Sequence, residues 1–297
     1  AARICKRLDI PYYTFDLKEA YRKHVIGYFK REYLLGRTPN PCVVCNQRIK
    51  FGFLLEKAIE KGVDFQFFAT GHYAKLTKTG GRFLLKKAED RSKDQTYFLY
   101  RLTRKQLSRT LFPLGEYTKA KVRKIARSME LETAYGAESQ DFVASNDYAV
   151  LFNEEEVKNG DIVDENLNLL GRHRGIIHYT IGQRRGLGIA SDRPLYVTKI
   201  DTENNRIVVG DRENLFSQGL IAKDLNLVAI DRLDRQHKIG AKIRLNHQEI
   251  PATLFPHGND RAKILFNTPQ MSVAPGQSAV FYRGDTVLGG GIIERAL

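Results

Sequence analysis

The chain has 297 residues, more than one ordinary hydrophobic core accommodates, so we expect two or three domains. Its 48 Lys and Arg residues outnumber 34 Asp and Glu residues, and the net charge of +14 favours a polyanionic partner such as nucleic acid over a generically basic surface. No apolar run is long enough to cross a bilayer and the 3 cysteines are too few for a disulfide scaffold, so we exclude membrane and disulfide-rich classes and predict a cytoplasmic protein.

The first part of the chain has the pattern of an α/β domain. Its opening residues are typical of the end of a helix that leads into a strand at Tyr12–Phe15, so we expect the chain to begin inside a domain. Apolar residues at helical spacing predict a helix over Leu17–Leu35 and a second over Phe51–Lys61. The apolar run Phe65–Thr70 then predicts a buried strand, and a strand after a helix indicates a parallel sheet.

A C-x-x-C motif, Cys42 and Cys45, follows a stretch in which two prolines bracket Asn40. We predict a stiff loop there, because proline does not continue a helix. Such a pair is a metal clip, a redox pair, two buried thiols or a nucleophile with a neighbour. The sequence offers no second C-x-x-C or paired histidines to complete a zinc site, so we predict no metal site and favour a reactive thiol with a depressed pKa. Cys5 is interpreted as core packing.

Gly71 and His72 follow the predicted strand Phe65–Thr70. The ligand crevice of an open parallel sheet lies beyond the carboxyl ends of its strands, so these two residues are candidates for a nucleotide site. A strand-end glycine and a core histidine are the plain alternatives. Helices are predicted over Lys93–Leu107 and over Thr118–Leu131, where Thr118 is a candidate N-cap.

Beyond about Phe152 the pattern changes to short alternating strands, and we predict three domains covering residues 1–152, 153–217 and 218–297. The middle one is a small β-rich domain with strands Leu195–Ile200 and Arg206–Val209. The last is a C-terminal antiparallel β-barrel. Its predicted strands are Lys242–Leu245, Ala252–Phe255, Ala262–Phe266, Ser278–Tyr282 and Thr286–Ile293.

Several longer motifs occur together in one order. They are Gly36 to Asn46 with Ile49 to Gly52, Ala69 to Ala74, Lys93 to Leu99, Phe112 to Gly115, His178 to Gly188, and Pro275 to Tyr282 with Gly289 to Ile293. Together they resemble the tRNA 2-thiouridylases of bacteria and mitochondria, over essentially the whole chain.

The resemblance implies a nucleotide-binding domain of the PP-loop type, like the adenine nucleotide α-hydrolases, incomplete at its N-terminus. It also implies a reaction that uses ATP and Mg²⁺ to adenylate the wobble uracil of tRNA, and a sulfur donor protein that acts as persulfide carrier to a monomeric enzyme. By the same resemblance Cys45 is the nucleophile, Asn40, Pro41 and Cys42 face the target base, and Gly71 contacts ATP. The implied tRNA contacts are His72, Lys93, Asp94, Gln95, Arg244 and Gln277. The glycine-rich stretch at Gly182–Gly188 would cradle phosphate or form a basic surface turn.

Three features of the sequence depart from the family pattern: one missing loop and two substituted positions. The Ser-Gly-Gly-x-Asp-Ser loop that binds ATP phosphates does not occur in this sequence, so we assign catalysis to the full-length enzyme. Cys42 stands where many members carry aspartate, and Val143 stands where the second catalytic cysteine is expected. Either Cys42 takes over the relay, or Cys42 and Cys45 hold an iron–sulfur cluster, or sulfur comes from another donor, or the activity is lost.

Two other classes of function fit parts of the sequence. A non-catalytic RNA-binding protein would account for the charge and the barrel. An adenylating, amide-forming enzyme of the same ATP-pyrophosphatase superfamily would account for the α/β domain but would not need the cysteine pair.

Overall fold

The computed structural model describes residues 1–135 and 148–297. Its helices are α1 Ala2–Arg7, α2 Lys18–Tyr21, α3 Gly27–Leu34, α4 Pro41–Val44, α5 Leu54–Glu60, α6 Thr96–Leu99, α7 Arg104–Ser108 and α8 Lys119–Ser128. Two π-helical segments, Arg22–Ile26 and Cys45–Phe53, join α2 to α3 and α4 to α5. The chain therefore forms two long helical rods, Lys18–Leu34 and Pro41–Glu60, separated by a short loop.

The helix predictions are confirmed in part. The first rod matches the helix predicted over Leu17–Leu35, and Thr118 caps α8 as expected, with its side chain accepting from the Lys121 amide. The helix predicted over Lys93–Leu107 is wrong, because α6 and α7 are separate short helices and Thr103 forms a new capping box for α7.

The parallel sheet described here is small. Strand β1, Phe68–Ala69, pairs in parallel with β4, Thr110–Leu111. The prediction of a buried strand over Phe65–Thr70 is therefore wrong in length and burial, since a two-stranded sheet leaves Phe67 exposed. Residues Tyr12–Phe15 form no strand, because no described segment pairs with them.

A β-hairpin that we did not predict follows. Strands β2, Ala74–Thr79, and β3, Arg82–Lys87, are joined by Gly80 and Gly81, both with positive φ. A two-residue hairpin turn of this kind requires that conformation, and glycine adopts it without strain. Strand β3 also pairs with the C-terminal sheet, which ties the first part of the chain to the last.

The middle of the chain forms a separate four-stranded sheet. Its strands are β5 Gly160–Val163, β6 Leu169–His173, β7 Tyr196–Asp201 and β8 Arg206–Gly210, in the order β6-β5-β8-β7. Ile162, Val197 and Ile207 are fully buried in its core. The predicted small β-rich module and its two named strands are confirmed.

The C-terminal strands close into a six-stranded antiparallel barrel. They are β9 Phe216–Leu227, β10 His237–Lys242, β11 Ile250–Pro256, β12 Arg261–Met271, β13 Ser278–Arg283 and β14 Thr286–Ala296. Closure comes from β13, which pairs with both β10 and β14. The barrel prediction is confirmed, although the strand predicted at Lys242–Leu245 is wrong because β10 ends at Lys242.

The barrel and the first part of the chain share a core. Val43, from the segment between the two cysteines, is buried with Tyr97 and Tyr100 against Val280 and Tyr282 of the barrel. Because one continuous core contains all of these side chains, the cysteine segment is fixed relative to the barrel.

Candidate active site around the cysteine pair

The two cysteines lie at the start of a helix and not in a loop. The Asn40 side chain caps this helix by accepting from the Val43 amide at 3.4 Å, and Pro41 occupies the first helical position. Asparagine at the N-cap followed by proline is a strong helix-start signal, so the predicted loop ends two residues earlier than expected. The same signal shows that the helix predicted to start at Phe51 begins at Pro41.

Cys42 is exposed and Cys45 is partly buried. Their three-residue spacing on a helix places the side chains about one turn apart on the same face. Cys5 is also partly exposed, so its prediction as core packing is wrong: α1 buries none of its residues.

Burial raises the pKa of the Cys45 thiol, and the positive charge of Lys50 opposes that rise. The expected depression of the thiol pKa is therefore wrong, because the cost of burying the thiolate outweighs the neighbouring cation. Tyr21, on the first rod, is coupled to both thiols: burial and then the negative charges of Cys45 and Cys42 raise its pKa to about 12. Sequence reasoning missed Tyr21, which carries no motif of its own.

His72 packs against the helix that carries the cysteines. Its ring lies 5.9 Å from that of Phe51 and 6.2 Å from that of Phe112, and its Nδ1 is 2.9 Å from the Thr70 hydroxyl. Burial and then the charge of Lys50 lower the pKa of His72 to about 4. His72 is therefore neutral near pH 7 and offers hydrogen bonds or ring contacts, not positive charge, to a phosphate. Lys50 acts on both His72 and Cys45, so the two predicted sites share one cation.

Gly71 is exposed after β1. A side-chain carbon added there would meet Leu114 at 3.7 Å, which is an ordinary contact. The fold itself therefore does not require glycine at this position.

Asp94 and Gln95 use their side chains inside the protein. Asp94 accepts from the Ala88 amide at 2.9 Å and from the Thr96 hydroxyl at 2.6 Å, and Gln95 accepts from the Tyr73 amide at 2.9 Å. These bonds tie the segment to the hairpin. Lys93, beside them, is partly exposed.

The barrel holds the loop that precedes the cysteines. The side-chain amide of Gln277 donates to the carbonyl oxygens of Thr38 and Pro39, both at 3.1 Å, and the Thr38 amide donates to the Pro275 carbonyl at 2.8 Å. Gly276 has φ of +91°, and a Cβ there would lie 2.9 Å from the Thr38 carbonyl oxygen. Only glycine fits this close approach.

The middle sheet domain contacts the same loop. The hydroxyl groups of Thr38 and Thr180 share a hydrogen bond, and Gly36 packs against Ile200 and Thr202. Residues 36–40 are thus held by the first rod, the middle domain and the barrel together. We call these contacts the loop clamp.

Two other predicted contacts have internal roles as well. Arg244 donates from Nη2 to the Met271 carbonyl at 3.1 Å. The amides of Gly182 and Gln183 donate to the carbonyls of Val197 and Thr180, so these two N–H groups are not available to cradle a phosphate.

The described residues contain no group of three or more His, Cys, Asp or Glu side chains that could hold a metal ion. An iron–sulfur cluster held by protein usually takes three or four cysteines, and the whole sequence has 3, of which only Cys42 and Cys45 form a pair. The position expected for a second catalytic cysteine, Val143, lies outside the described residues.

Among residues 1–135 and 148–297, none of the helices has the length and apolar character that a membrane span requires.

Three family models match consecutive parts of the chain. They are described as the tRNA methyl transferase HUP domain over residues 1–144, the tRNA methyl transferase PRC-barrel domain over 149–211 and the aminomethyltransferase beta-barrel domain over 217–293. These matches agree with the predicted succession of a nucleotide-binding α/β domain, a small β domain and a barrel.

Curated relatives carry a different activity in their names. The chain is 48% identical over 301 residues to the tRNA-specific 2-thiouridylase MnmA of Acetivibrio thermocellus, covering 99% of this chain and 83% of the relative. It is 48% identical to the protein of that name from Carboxydothermus hydrogenoformans, over 100% of this chain and 83% of the relative. For the Clostridium perfringens protein the identity is 44%, over 100% of this chain and 84% of the relative. With this identity over nearly its whole length, the chain belongs to the tRNA-specific 2-thiouridylase family.

Proposed function

We propose that this protein is a tRNA 2-thiouridylase, which replaces the C2 oxygen of the wobble uridine with sulfur in an ATP-dependent reaction. The observation that carries the proposal is the cysteine pair at the start of a helix, held in place by the loop clamp. The descriptions of the family models refer to methyl transfer, whereas the names of the relatives refer to thiolation. We follow the relatives, because methyl transfer would not need two thiols one turn apart on a clamped segment.

In the proposed reaction, ATP adenylates the uracil oxygen and converts it into a leaving group. A persulfide on Cys45, loaded by a persulfide carrier protein, attacks C2 through its terminal sulfur, and AMP leaves with the former oxygen. The base is then joined to Cys45 through a disulfide bond. The reaction requires Cys45 to hold the sulfur atom close to the base. A partly buried side chain on a fixed helix meets this requirement, because its position varies little.

Cys42 is proposed to complete the reaction. Its thiolate attacks Sγ of Cys45, which breaks the bond to the transferred sulfur and leaves 2-thiouridine and a Cys42–Cys45 disulfide. An external thiol reductant then restores the pair. The exposure of Cys42 gives that reductant access. We favour this relay over a cluster because the sequence lacks the further cysteines that a cluster would use.

The proposed binding roles follow the same geometry. Asn40 and Pro41 form the edge on which the target base lies, Gly71 approaches the ATP, and His72 contacts tRNA as a neutral ring. Lys93, Asp94, Gln95 and Arg244 are proposed tRNA contacts, with Asp94 contributing mainly through the position of its backbone. Gln277 acts through the loop clamp.

Deleting the gene is the test of this function. We expect 2-thiouridine to disappear from digested tRNA while methylated nucleosides stay unchanged, as measured by mass spectrometry of nucleosides. Unchanged 2-thiouridine would overturn the proposal, and loss of a methylated nucleoside in its place would favour the methyl transfer named in the family descriptions.

The charge of Lys50 gives a second test of the site. Lys50→Gln is expected to raise the pKa of Cys45 further, because it removes the cation that opposes the effect of burial. In a background with Cys5 and Cys42 changed to serine, the pH profile of Cys45 alkylation should shift to higher pH. Lys57→Gln is the matched control, since Lys57 lies on the same rod but pairs with Glu60. An unshifted profile would show that Lys50 does not act on the thiol.

A further inference from the structure

A basic pocket of about 450 Å³ lies where the two helical rods meet the barrel. This volume lies in the range, roughly 300 to 1,000 Å³, that small ligands occupy in proteins. Its cationic lining comes from both rods, from the turn after α6 and from β9, and consists of Lys23, Arg31, Arg48, Arg101 and Lys223. Its acidic lining consists of Glu32 and Asp224. We call it the junction pocket.

The positive charge of the junction pocket is mostly not neutralised by the protein. Glu32 accepts two hydrogen bonds from Arg37, at 2.7 and 2.9 Å. Arg37 does not line the pocket, so Glu32 is paired with a cation other than the five that do. Asp224 is exposed and is the remaining carboxylate. Within the part of the chain that the structure describes, none of the five Lys and Arg side chains forms an ion pair or a side-chain hydrogen bond.

Several arginines elsewhere in the described chain are paired. Arg82 and Arg104 share Asp231, Arg261 makes two bonds to Glu294, and Arg91 pairs with Asp285. Nε of Arg101, which lines the junction pocket, is buried and has no hydrogen-bond partner among the described residues, as is also true of Nε of Arg244 outside the pocket. Because a buried guanidinium N–H without a partner is unfavourable, Arg101 points to an anionic partner that the protein itself does not supply.

The pKa of a histidine in the pocket is affected by the same positive charges. His24 lines the pocket, and its ring centroid lies 4.9 Å from that of Phe53, with the two rings tilted. Burial, then the charges of Arg48 and Lys23, lower the pKa of His24. Arg48 and Lys23 thus place positive charge beside His24.

We propose that the junction pocket binds a phosphate group of the tRNA backbone. The proposal rests on the proposed function and extends it, because it adds an anchoring site to the one that handles the base. Arginine recognises phosphate through two parallel N–H bonds, and Arg48 and Arg101 both line this site together with Lys23 and Lys223.

The position of the pocket explains what the anchor would do. Arg48 follows Cys45 by three residues on the same rod, and Tyr28 of the first rod also lines the pocket. Lys223, on barrel strand β9, also lines the pocket. A phosphate held here fixes the RNA strand relative to both the thiols and the barrel, and contacts of this kind set register without reading sequence.

The test is tRNA binding by the double variant Lys23→Gln/Arg48→Gln, whose two side chains are exposed and whose loss leaves the core intact. We expect the dissociation constant to rise about tenfold or more, and the slope of log K against log salt to fall by about 0.7 to 0.9 for each phosphate no longer contacted. Arg101→Gln should act in the same direction. The matched control is Arg232→Gln/Arg235→Gln, two exposed arginines before β10 that lie outside the pocket. The control should change affinity less than threefold.

The possible outcomes distinguish tRNA phosphate from free phosphates as the ligand. They also distinguish failure of the pocket proposal from failure of the proposed function. Equal losses of tRNA affinity in the pocket variant and in the control would overturn the proposal, because they would indicate a general effect of charge. Titration with AMP and with inorganic pyrophosphate identifies the other source: if the pocket variant loses only their binding and keeps its tRNA affinity and salt slope, the pocket serves free phosphates and our proposal is wrong. A wild-type chain that does not bind tRNA would overturn the proposed function itself.

Discussion

Cys45→Ser is expected to reduce 2-thiouridine formation by a factor of roughly 10³ or more, because serine cannot carry the sulfur atom that the reaction transfers. The affinity for tRNA should stay within roughly threefold, since one thiol contributes little to an interface made largely of phosphate contacts. The measurement is mass spectrometry of tRNA nucleosides from a strain whose own gene carries the change, together with tRNA binding by the purified variant.

Cys5→Ser is the matched control, since it makes the same chemical change on α1 and should leave thiolation at the wild-type level. Cys42→Ser should also lose turnover under the relay, but it should accumulate the adduct between tRNA and Cys45, because the step that releases the base is the one removed. Normal 2-thiouridine in the Cys45→Ser strain would place the nucleophile elsewhere.

The loop clamp gives the second large effect. Gln277→Glu replaces the donating amide with a carboxylate, which repels the carbonyl oxygens of Thr38 and Pro39. A displacement of about 1 Å in a reacting group can reduce a rate about 100-fold, so we expect thiolation to fall about 10- to 100-fold. Affinity for tRNA should change less than roughly threefold, because the side-chain nitrogen of Gln277 is already engaged within the protein.

This prediction separates two roles for Gln277. If its main role is to contact tRNA, Gln277→Glu would weaken tRNA binding in proportion to the loss of thiolation. Gln218→Glu, an exposed glutamine on β9, controls for the added charge. Gly276→Ala should reproduce the loss of turnover, because its Cβ meets the Thr38 carbonyl oxygen at 2.9 Å. Wild-type thiolation in both clamp variants would show that the loop position does not limit the reaction.

The sequence predicted the architecture where periodicity is strong. Alternating apolar residues predicted most barrel strands, and the succession of α/β, small β and barrel parts is confirmed. Domain boundaries stay predictions, and β9 begins at Phe216, two residues before the predicted third domain. The Asn40–Pro41 pair, which predicted a loop, is a helix-start signal, and the Gly80–Gly81 pair is a hairpin-turn signal from which no strand pair was predicted.

Other features have no local signal. Gln277 and Thr38 are 239 residues apart in sequence, and Lys23 and Lys223 share a pocket although they lie on a helical rod and a barrel strand. The raised pKa of Cys45 comes from burial, which the motif does not reveal. The C-x-x-C motif therefore identifies the candidate thiol, whereas the packing of segments that are distant in sequence determines how that thiol is held.

The most direct test follows labelled sulfur from a persulfide donor through the full-length enzyme in one turnover with ATP and tRNA. The account predicts label first on the peptide that contains Cys45, as a persulfide released by reductant, and then on the uridine of tRNA as the peptide signal decays. Label that reaches tRNA without passing through Cys45 would contradict it.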